Sequence, residues 1–121
     1  MSVTPSQFDL LAQLLDVATL RHRVIAQNVA NVNTPGYRRL EVSFEDALAR
    51  HLSDSGFGQL DLNGIRPEIV QASGGIDRQD GNNVDIDSEM GRLQKNTLLF
   101  GVYSQVLSAK IAAMRAAITG R

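Results

Sequence analysis

Apolar residues recur at alternating spacings of three and four near both ends of this 121-residue chain. In the N-terminal part the recurring positions are Phe8, Leu11, Leu15, Ala18, His22, Ile25, Val29 and Val32, of which His22 is the one polar interruption. In the C-terminal part they are Met90, Leu93, Thr97, Phe100, Ser104, Leu107, Ile111, Met114 and Ile118. This spacing places the side chains along one face of a helix, and such a face packs lengthwise against another helix. The pattern therefore predicts two long helices that pair as a discontinuous coiled coil.

Capping signals mark where these helices begin. Thr4 followed by Pro5 is typical of an N-cap and a first helical position, so the first helix is predicted over residues 5–31. Asp85 is a typical N-cap residue, and the second helix is predicted over residues 86–118.

Glycine separates these helices from a loop-rich middle. Residues 1–35 contain no glycine, whereas residues 56–81 hold six of the ten. The middle is predicted to contain a short amphipathic helix over 43–53 and a short strand or hairpin near 64–70, at a sheet edge because of Pro67. The predicted fold class is mainly α, with a small irregular middle segment. The predicted parts are an N-terminal coil helix at 1–33, a turn and irregular middle segment at 34–84 and a C-terminal coil helix at 85–121, the two ends together forming one structural domain.

The length of the helices bears on assembly. At about 1.5 Å per residue they span about 40 and 50 Å, whereas a compact chain of this size has a radius of gyration of about 14 Å. A second line of small residues, Ser104, Ser108, Ala112 and Ala116, allows another backbone to approach the C-terminal helix. The chain is either an isolated antiparallel helical hairpin or a subunit whose flanks are buried by neighbours, and we expect the second.

Composition excludes several function classes. Lys and Arg number 12 against 13 Asp and Glu, and this balance disfavours a dedicated nucleic-acid binder. The absence of cysteine excludes disulfides, thiolate metal sites and a cysteine nucleophile. No run of about 20 apolar residues is present, so no transmembrane segment is predicted. No Lys or Arg precedes Arg21, so the sequence lacks the basic start of a cleaved secretory signal.

Residues for catalysis or metal binding are sparse. His22 and His51 lie on separate predicted helices, and neither has a Ser or Asp at a triad-like spacing. The acidic run at 80–89 fails the spacing of a calcium-binding EF-hand loop, since Asp85 stands where glycine is required. We therefore predict no catalytic, cofactor-binding or metal site, and no enzymatic activity.

The segment from Thr34 to Tyr37 carries the sharpest local signal. Pro35 and Gly36 occupy the second and third positions of a four-residue turn, which is the pattern of a type II turn. The first helix must therefore stop just before it, and the chain must reverse. The turn either ends the helix and nothing more, or the preceding asparagines Asn28 and Asn31 bond the last carbonyls or a neighbouring chain.

Two motifs resemble a known family. Residues 24–39, Val-Ile-Ala-Gln-Asn-Val-Ala-Asn-Val-Asn-Thr-Pro-Gly-Tyr-Arg-Arg, resemble the N-terminal signature of bacterial flagellar rod and hook proteins. Residues 82–87, Asn-Asn-Val-Asp-Ile-Asp, followed by Glu89, Met90, Leu93 and Asn96, resemble the C-terminal signature of the proximal rod members. The motif residues singled out are Asn28, Asn31, Thr34, Pro35, Gly36, Tyr37, Asn82, Asn83, Val84 and Asp85. The resemblance covers residues 8–45 and 78–119, and 121 residues leave no room for the inserted domain of the distal rod and hook proteins.

The resemblance implies a structural subunit of the flagellar basal-body rod. It implies terminal helices that polymerise into a torque-transmitting tube around the export channel, and export to the periplasm without a cleaved signal peptide. The implied partners are further copies of the chain, FlgC, FliE, distal rod proteins, a rod-capping muramidase and the export apparatus. The residues expected to pack in the coil and assembly are Phe8, Leu11, Leu15, Ile25 and Val29 against Leu93, Phe100, Leu107, Ile111 and Met114. FlgC, the other short proximal rod protein, is one alternative, and a soluble helical secretion chaperone or adaptor is another.

Overall fold

The computed structural model describes residues 5–56 and 61–120 of the chain. The predicted N-cap Thr4 lies outside these residues. The described elements are helix α1 (Pro5–Ala30), strand β1 (Leu40–Ser43), helix α2 (Glu45–Ser55), a 3-10 turn (Leu62–Gly64), strand β2 (Glu68–Gln71) and helix α3 (Ile86–Thr119).

The two long helices confirm the predicted fold class and lie within one residue of their predicted bounds. Asp85 is the N-cap of α3, and its carboxylate accepts a hydrogen bond from the backbone N–H of Asp87 at 3.1 Å. At the other end, Gly120 adopts a left-handed conformation and its N–H bonds to the carbonyl of Ala116. Both ends thus use the capping chemistry that their residue types favour.

The helices α1 and α3 run antiparallel, and three side-chain hydrogen bonds set their alignment. Lys110 donates to Gln7 at 3.1 Å, Asn96 to the carbonyl of Ala18 at 2.7 Å, and Asn28 to Glu89 at 3.2 Å. From one bond to the next, the residue number on α1 increases while that of its partner on α3 decreases by a similar amount. The helices therefore contact each other along most of α1.

The middle segment packs against a second face of α1. Strands β1 and β2 pair antiparallel, with Leu40 opposite Gln71 and Ser43 opposite Glu68. Their cluster with α1 consists of Val17, Val24, Val42, Phe44 and Ile65, all buried. Val17 and Val24 lie off the predicted heptad line, so α1 buries two stripes, one toward the middle segment and one on the predicted coil face.

The predicted coil residues differ in burial. On α1, Leu11 and Ile25 are buried, whereas Phe8, Leu15 and Val29 are half-buried. On α3, Leu93 and Leu107 are half-buried, whereas Phe100, Ile111 and Met114 are exposed. A single chain therefore covers the α1 line better than the α3 line.

Helix α3 is apolar on several sides. Leu98 is 69% exposed and Val102 49% exposed, and both lie away from the side that carries Asn96 and Glu89. Among residues 5–56 and 61–120, α3 is the one helix that is long and apolar enough to cross a membrane, judged by length and composition alone. The sequence prediction, which required an uninterrupted apolar run, did not identify it. A helix that is apolar all round is typical of a membrane span and equally of a helix enclosed by other helices.

Candidate functional site: the polar junction between the long helices

The end of α1 and the start of α3 meet in a set of polar side chains. This polar junction consists of Asn28, Tyr37, Arg39, Asn82 and Glu89. Asn28, Asn82 and Glu89 are each 0% exposed. Burial of polar groups is costly unless they are hydrogen-bonded, so their partners decide whether the junction is stable.

Asn28 uses both ends of its amide. Its nitrogen donates to the carbonyl of Leu40 at 2.8 Å and to Glu89 at 3.2 Å. Its oxygen accepts from the backbone N–H of Leu40 at 3.0 Å and from the hydroxyl of Tyr37 at 2.8 Å. One side chain of α1 therefore holds the start of β1 in the way that a neighbouring strand does, and reaches α3 as well.

Glu89 is the buried anion of the junction. It accepts hydrogen bonds from Arg39 and from Arg92, the latter at 3.1 Å, in addition to the one from Asn28. The Arg39 side chain is itself largely buried. Because a buried carboxylate is stable only when it is paired and hydrogen-bonded, these contacts fix the first turn of α3 against the segment that precedes β1.

Asn82 satisfies the backbone that follows α1. Its amide nitrogen lies within hydrogen-bond distance of three carbonyls, those of Asn31, Val32 and Thr34, at 2.9, 3.2 and 2.9 Å. Its oxygen accepts from the N–H of Val84 at 2.7 Å. These carbonyls belong to the segment that follows Ala30, the last residue of α1, and a side chain some 50 residues further along donates to them.

The predicted turn lies beside this contact. The N–H of Tyr37 bonds to the carbonyl of Thr34 at 3.2 Å, and Gly36 has a φ of +75°, as a type II turn requires at its third position. The N–H of Gly36 donates to the carbonyl of Asp80 at 2.8 Å. The turn therefore both ends the α1 region and docks on the segment that leads to α3.

Replacement of Gly36 by valine tests the turn. No atom lies within 4 Å of the position that a Cβ would occupy there, so the expected penalty is backbone strain alone. A β-branched residue at positive φ costs about 1–3 kcal/mol. We expect Gly36→Val to lower the free energy of unfolding by about that amount, measured by urea denaturation.

Gly36→Asn is the matched control, since asparagine tolerates the left-handed region. We expect it to cost clearly less than valine. Equal stability of the valine variant and the parent chain, together with normal assembly, contradicts a role for this turn.

The remaining motif residues surround the junction. The oxygen of Asn83 accepts from the N–H of Arg39 at 2.6 Å, and Val84 is buried. Asn31 lies at the edge of the junction, and its amide nitrogen donates to the carbonyl of Gln27 at 2.8 Å. Pro35 is exposed.

Arg39 and Glu89 are junction residues that were not among the predicted site residues. Both lie in or beside the stretches that carry the family resemblance, but periodicity marks them as ordinary charged surface positions. The available signal was the resemblance itself, because Arg39 ends the N-terminal motif and Glu89 belongs to the C-terminal motif.

The local charges affect titration. Burial, together with the negative charge of Glu89, raises the pKa of the Tyr37 hydroxyl above its ordinary value. The hydroxyl therefore stays protonated and able to donate to Asn28.

The pKa of Glu45, outside the junction, is lowered. Partial burial by itself raises this pKa, but the hydrogen bonds that Glu45 accepts from Arg21 and from backbone N–H groups outweigh burial.

The arrangement points to structural coupling rather than chemistry. Within the described parts of the chain, no group of three or more His, Cys, Asp or Glu is placed to hold a metal ion. The junction's carboxylate, amides and hydroxyl are bonded to one another and to the backbone. What the junction does is tie the end of α1, the turn and the start of α3 into one unit.

The chain is similar to known proteins. Residues 20–38 match the family model described as "Flagella basal body rod protein". The chain is 34% identical to the flagellar basal body rod protein FlgB of Borrelia hermsii, covering 88% of this chain and 90% of that protein. It is 28% identical to FlgB of Bacillus subtilis, covering 99% and 98%, and 26% identical to FlgB of Escherichia coli, covering 84% and 85%.

Proposed function

Because this chain belongs to the FlgB family of flagellar basal body rod proteins, we propose that its two long helices are what joins it to neighbouring subunits in the rod. Membership of the family makes it a structural, non-enzymatic component of the bacterial flagellum that assembles with itself and with other rod proteins in the basal body. Its relatives over nearly the full length are FlgB proteins, so the assignments to FlgC or to a secretion chaperone are set aside.

The observation that carries the proposal is the exposed apolar surface of α3. Leu98, Val102 and Val106 are exposed on one side of the helix, while Phe100 and Ile111 are exposed nearer to α1. Extended exposed apolar surface on a soluble chain marks an interaction site. Among the described residues, α1 makes most of the contacts with this helix, so the other sides of α3 are available to neighbours.

The residues expected in the coil then divide into those that pack within the chain and those that contact other subunits. Leu11 and Ile25, buried in the single chain, hold α1 in place, whereas Phe100, Ile111 and Met114 are available for contacts between subunits. The polar junction fixes α1 and α3 relative to each other, so that each subunit offers its neighbours a rigid pair of helices. Many such pairs, stacked side by side, form a torque-transmitting tube around an export channel.

We extend the proposal to partners and place. FlgC, FliE, distal rod proteins and a rod-capping muramidase are the proposed neighbours, and the flagellar export apparatus is the proposed route to the periplasm, without cleavage of a signal peptide. Helices of these partners, and not lipid, cover the apolar sides of α3. Support comes from Asn96 and Lys110, which make polar contacts with α1 at the two ends of the uncharged stretch 96–109.

Deletion of the gene, with complementation, tests the function. Detergent-extracted basal bodies are imaged by electron microscopy, and swimming is scored in parallel. We expect inner rings without a rod in the deletion strain and normal rods after complementation. Intact rods and normal swimming in the deletion strain contradict the proposal.

A further inference from the structure

A groove of about 430 Å³ lies where α1, β1 and α3 meet. Apolar side chains that include Ile25, Leu99 and Tyr103 form part of its wall. The cations Arg21, Arg39, Arg92 and Lys95 and the carboxylates Glu41 and Glu45 also line it. The groove therefore combines an apolar surface with a charged rim.

The positive charges on this rim are not fully balanced. Arg21 pairs with Glu45 at 2.8 Å, Arg39 pairs with Glu41 and Glu89, and Arg92 shares Glu89. Lys95 is exposed and has no carboxylate within 4.0 Å among residues 5–56 and 61–120. Three carboxylates thus face four cations, and the excess positive charge lies on the α3 side of the groove.

The opposite charge is concentrated elsewhere on the same chain. Asp9 and Asp16 are seven residues apart on α1, so they lie on one side of the helix, and the exposed Ala12 lies between them. Asp61 lies beside them, and the described residues that line the depression they share include no Lys or Arg. We call this surface the acidic face.

The acidic face and the groove lie on different sides of α1. At 3.6 residues per turn, Asp9 and Asp16 are separated by about 120–180° around the helix from Arg21 and Ile25, which line the groove. A chain therefore cannot place its own acidic face in its own groove. A second copy can do so, and its next neighbour can repeat the contact.

We propose that the acidic face of one copy docks on the groove of the next copy in the rod. This inference rests on the proposed function and names the surfaces that join like subunits. Asp9 and Asp16 lie near Lys95 and Arg92 of the neighbour, and the small side chain of Ala12 lets the helix approach the apolar wall. A contact between two different surfaces is head to tail, and it propagates as a ring or a helical array, which is the symmetry that a tube requires.

Disulfide trapping tests the contact cleanly, because the chain contains no cysteine. The double variant Asp16→Cys with Lys95→Cys is expressed as the sole copy, and extracted basal bodies are oxidised and run on a non-reducing gel. We expect a ladder of covalent multimers. Cells that co-express the two single variants should give dimers and no higher species, because each chain then carries one reactive end.

The control pairs Lys95→Cys with Ala26→Cys, an exposed position on another side of α1. We expect no ladder from it. Failure of the Asp16→Cys and Lys95→Cys pair to cross-link in motile cells overturns the proposal while leaving the proposed function intact. Dimers from either single variant alone overturn it as well, since they indicate like surfaces in contact.

Charge reversal distinguishes a second copy of this chain in the groove from a different rod protein. We expect Lys95→Glu to impair swimming and Asp16→Lys in the same chain to restore it. Loss of swimming with Lys95→Glu that Asp16→Lys does not restore assigns the groove to a different rod protein and overturns docking of a second copy. If the Lys95→Glu chain is found in basal bodies that have rings but no rod, the loss of swimming is due to failed rod assembly.

Discussion

Leu107→Asp is expected to abolish incorporation of the chain into the rod. Leu107 is half-buried and lies 18 residues, or five helical turns, after Glu89, on the same side of α3 as Glu89 and Asn96. An aspartate there puts an unpaired charge among packed apolar side chains, which costs several kcal/mol. The measurement is the amount of variant chain in purified basal bodies, together with swimming in a complemented deletion strain.

Gln94→Asp provides the matched control, because it introduces the same side chain at an exposed polar position of the same helix. We expect it to leave rods and swimming close to normal. Rods of normal length and number that contain the Leu107→Asp chain refute the assignment of Leu107 to a packed seam.

Arg39→Met is expected to lower the stability of the isolated chain strongly. It removes the hydrogen bond between Arg39 and Glu89, whose carboxylate is fully buried, while keeping most of the apolar length of the side chain. Breaking a buried ion pair from one side costs about 3–5 kcal/mol. Since Arg92 still bonds to Glu89, we expect a loss of about 3 kcal/mol in the free energy of unfolding, measured by urea denaturation.

The adjacent arginine supplies the comparison. Arg38 pairs with Asp77 at 2.9 Å, and the two side chains are 37% and 58% exposed, against 0% for Glu89. An exposed ion pair contributes about 0–1 kcal/mol, so Arg38→Met should destabilise far less than Arg39→Met. Equal losses from the two variants argue against a special role for the buried Glu89 carboxylate.

Much of the helical framework was predictable from the sequence. Apolar spacing and the capping residues placed both long helices to within a residue, because these signals act locally and need no knowledge of the partner. The turn at Pro35 and Gly36 was predictable for the same reason, since the dihedral preferences of those two residues are intrinsic. The two motifs also indicated the family, because each of them is a run of adjacent residues.

The sheet and the second buried stripe of α1 were harder to predict from the sequence. The strand β1 was not predicted, because four residues with one buried side chain carry little periodic signal. It exists because Asn28 bonds both backbone groups of Leu40 and because β2 pairs with it. Val17 and Val24 bury a face that the heptad line does not mark, since Phe44 and Val42 approach α1 from another side.

Residues close together in the chain are enough to set where the helices begin and end, where the chain turns, and which family it belongs to. That Asn28, Asn82 and Glu89 are buried, and that Glu89 bonds to Asn28 and Arg39, follows only from the three-dimensional fold. The hydrogen bonds that Glu89 makes with Asn28 and Arg39, and those of Asn82 with the segment after α1, link residues 48 to 61 positions apart. A polar residue looks alike in a sequence whether it faces water or a buried partner, and only the approach of distant segments gives it that partner. The fold likewise decided which apolar sides of α3 face α1 and which are left for neighbours.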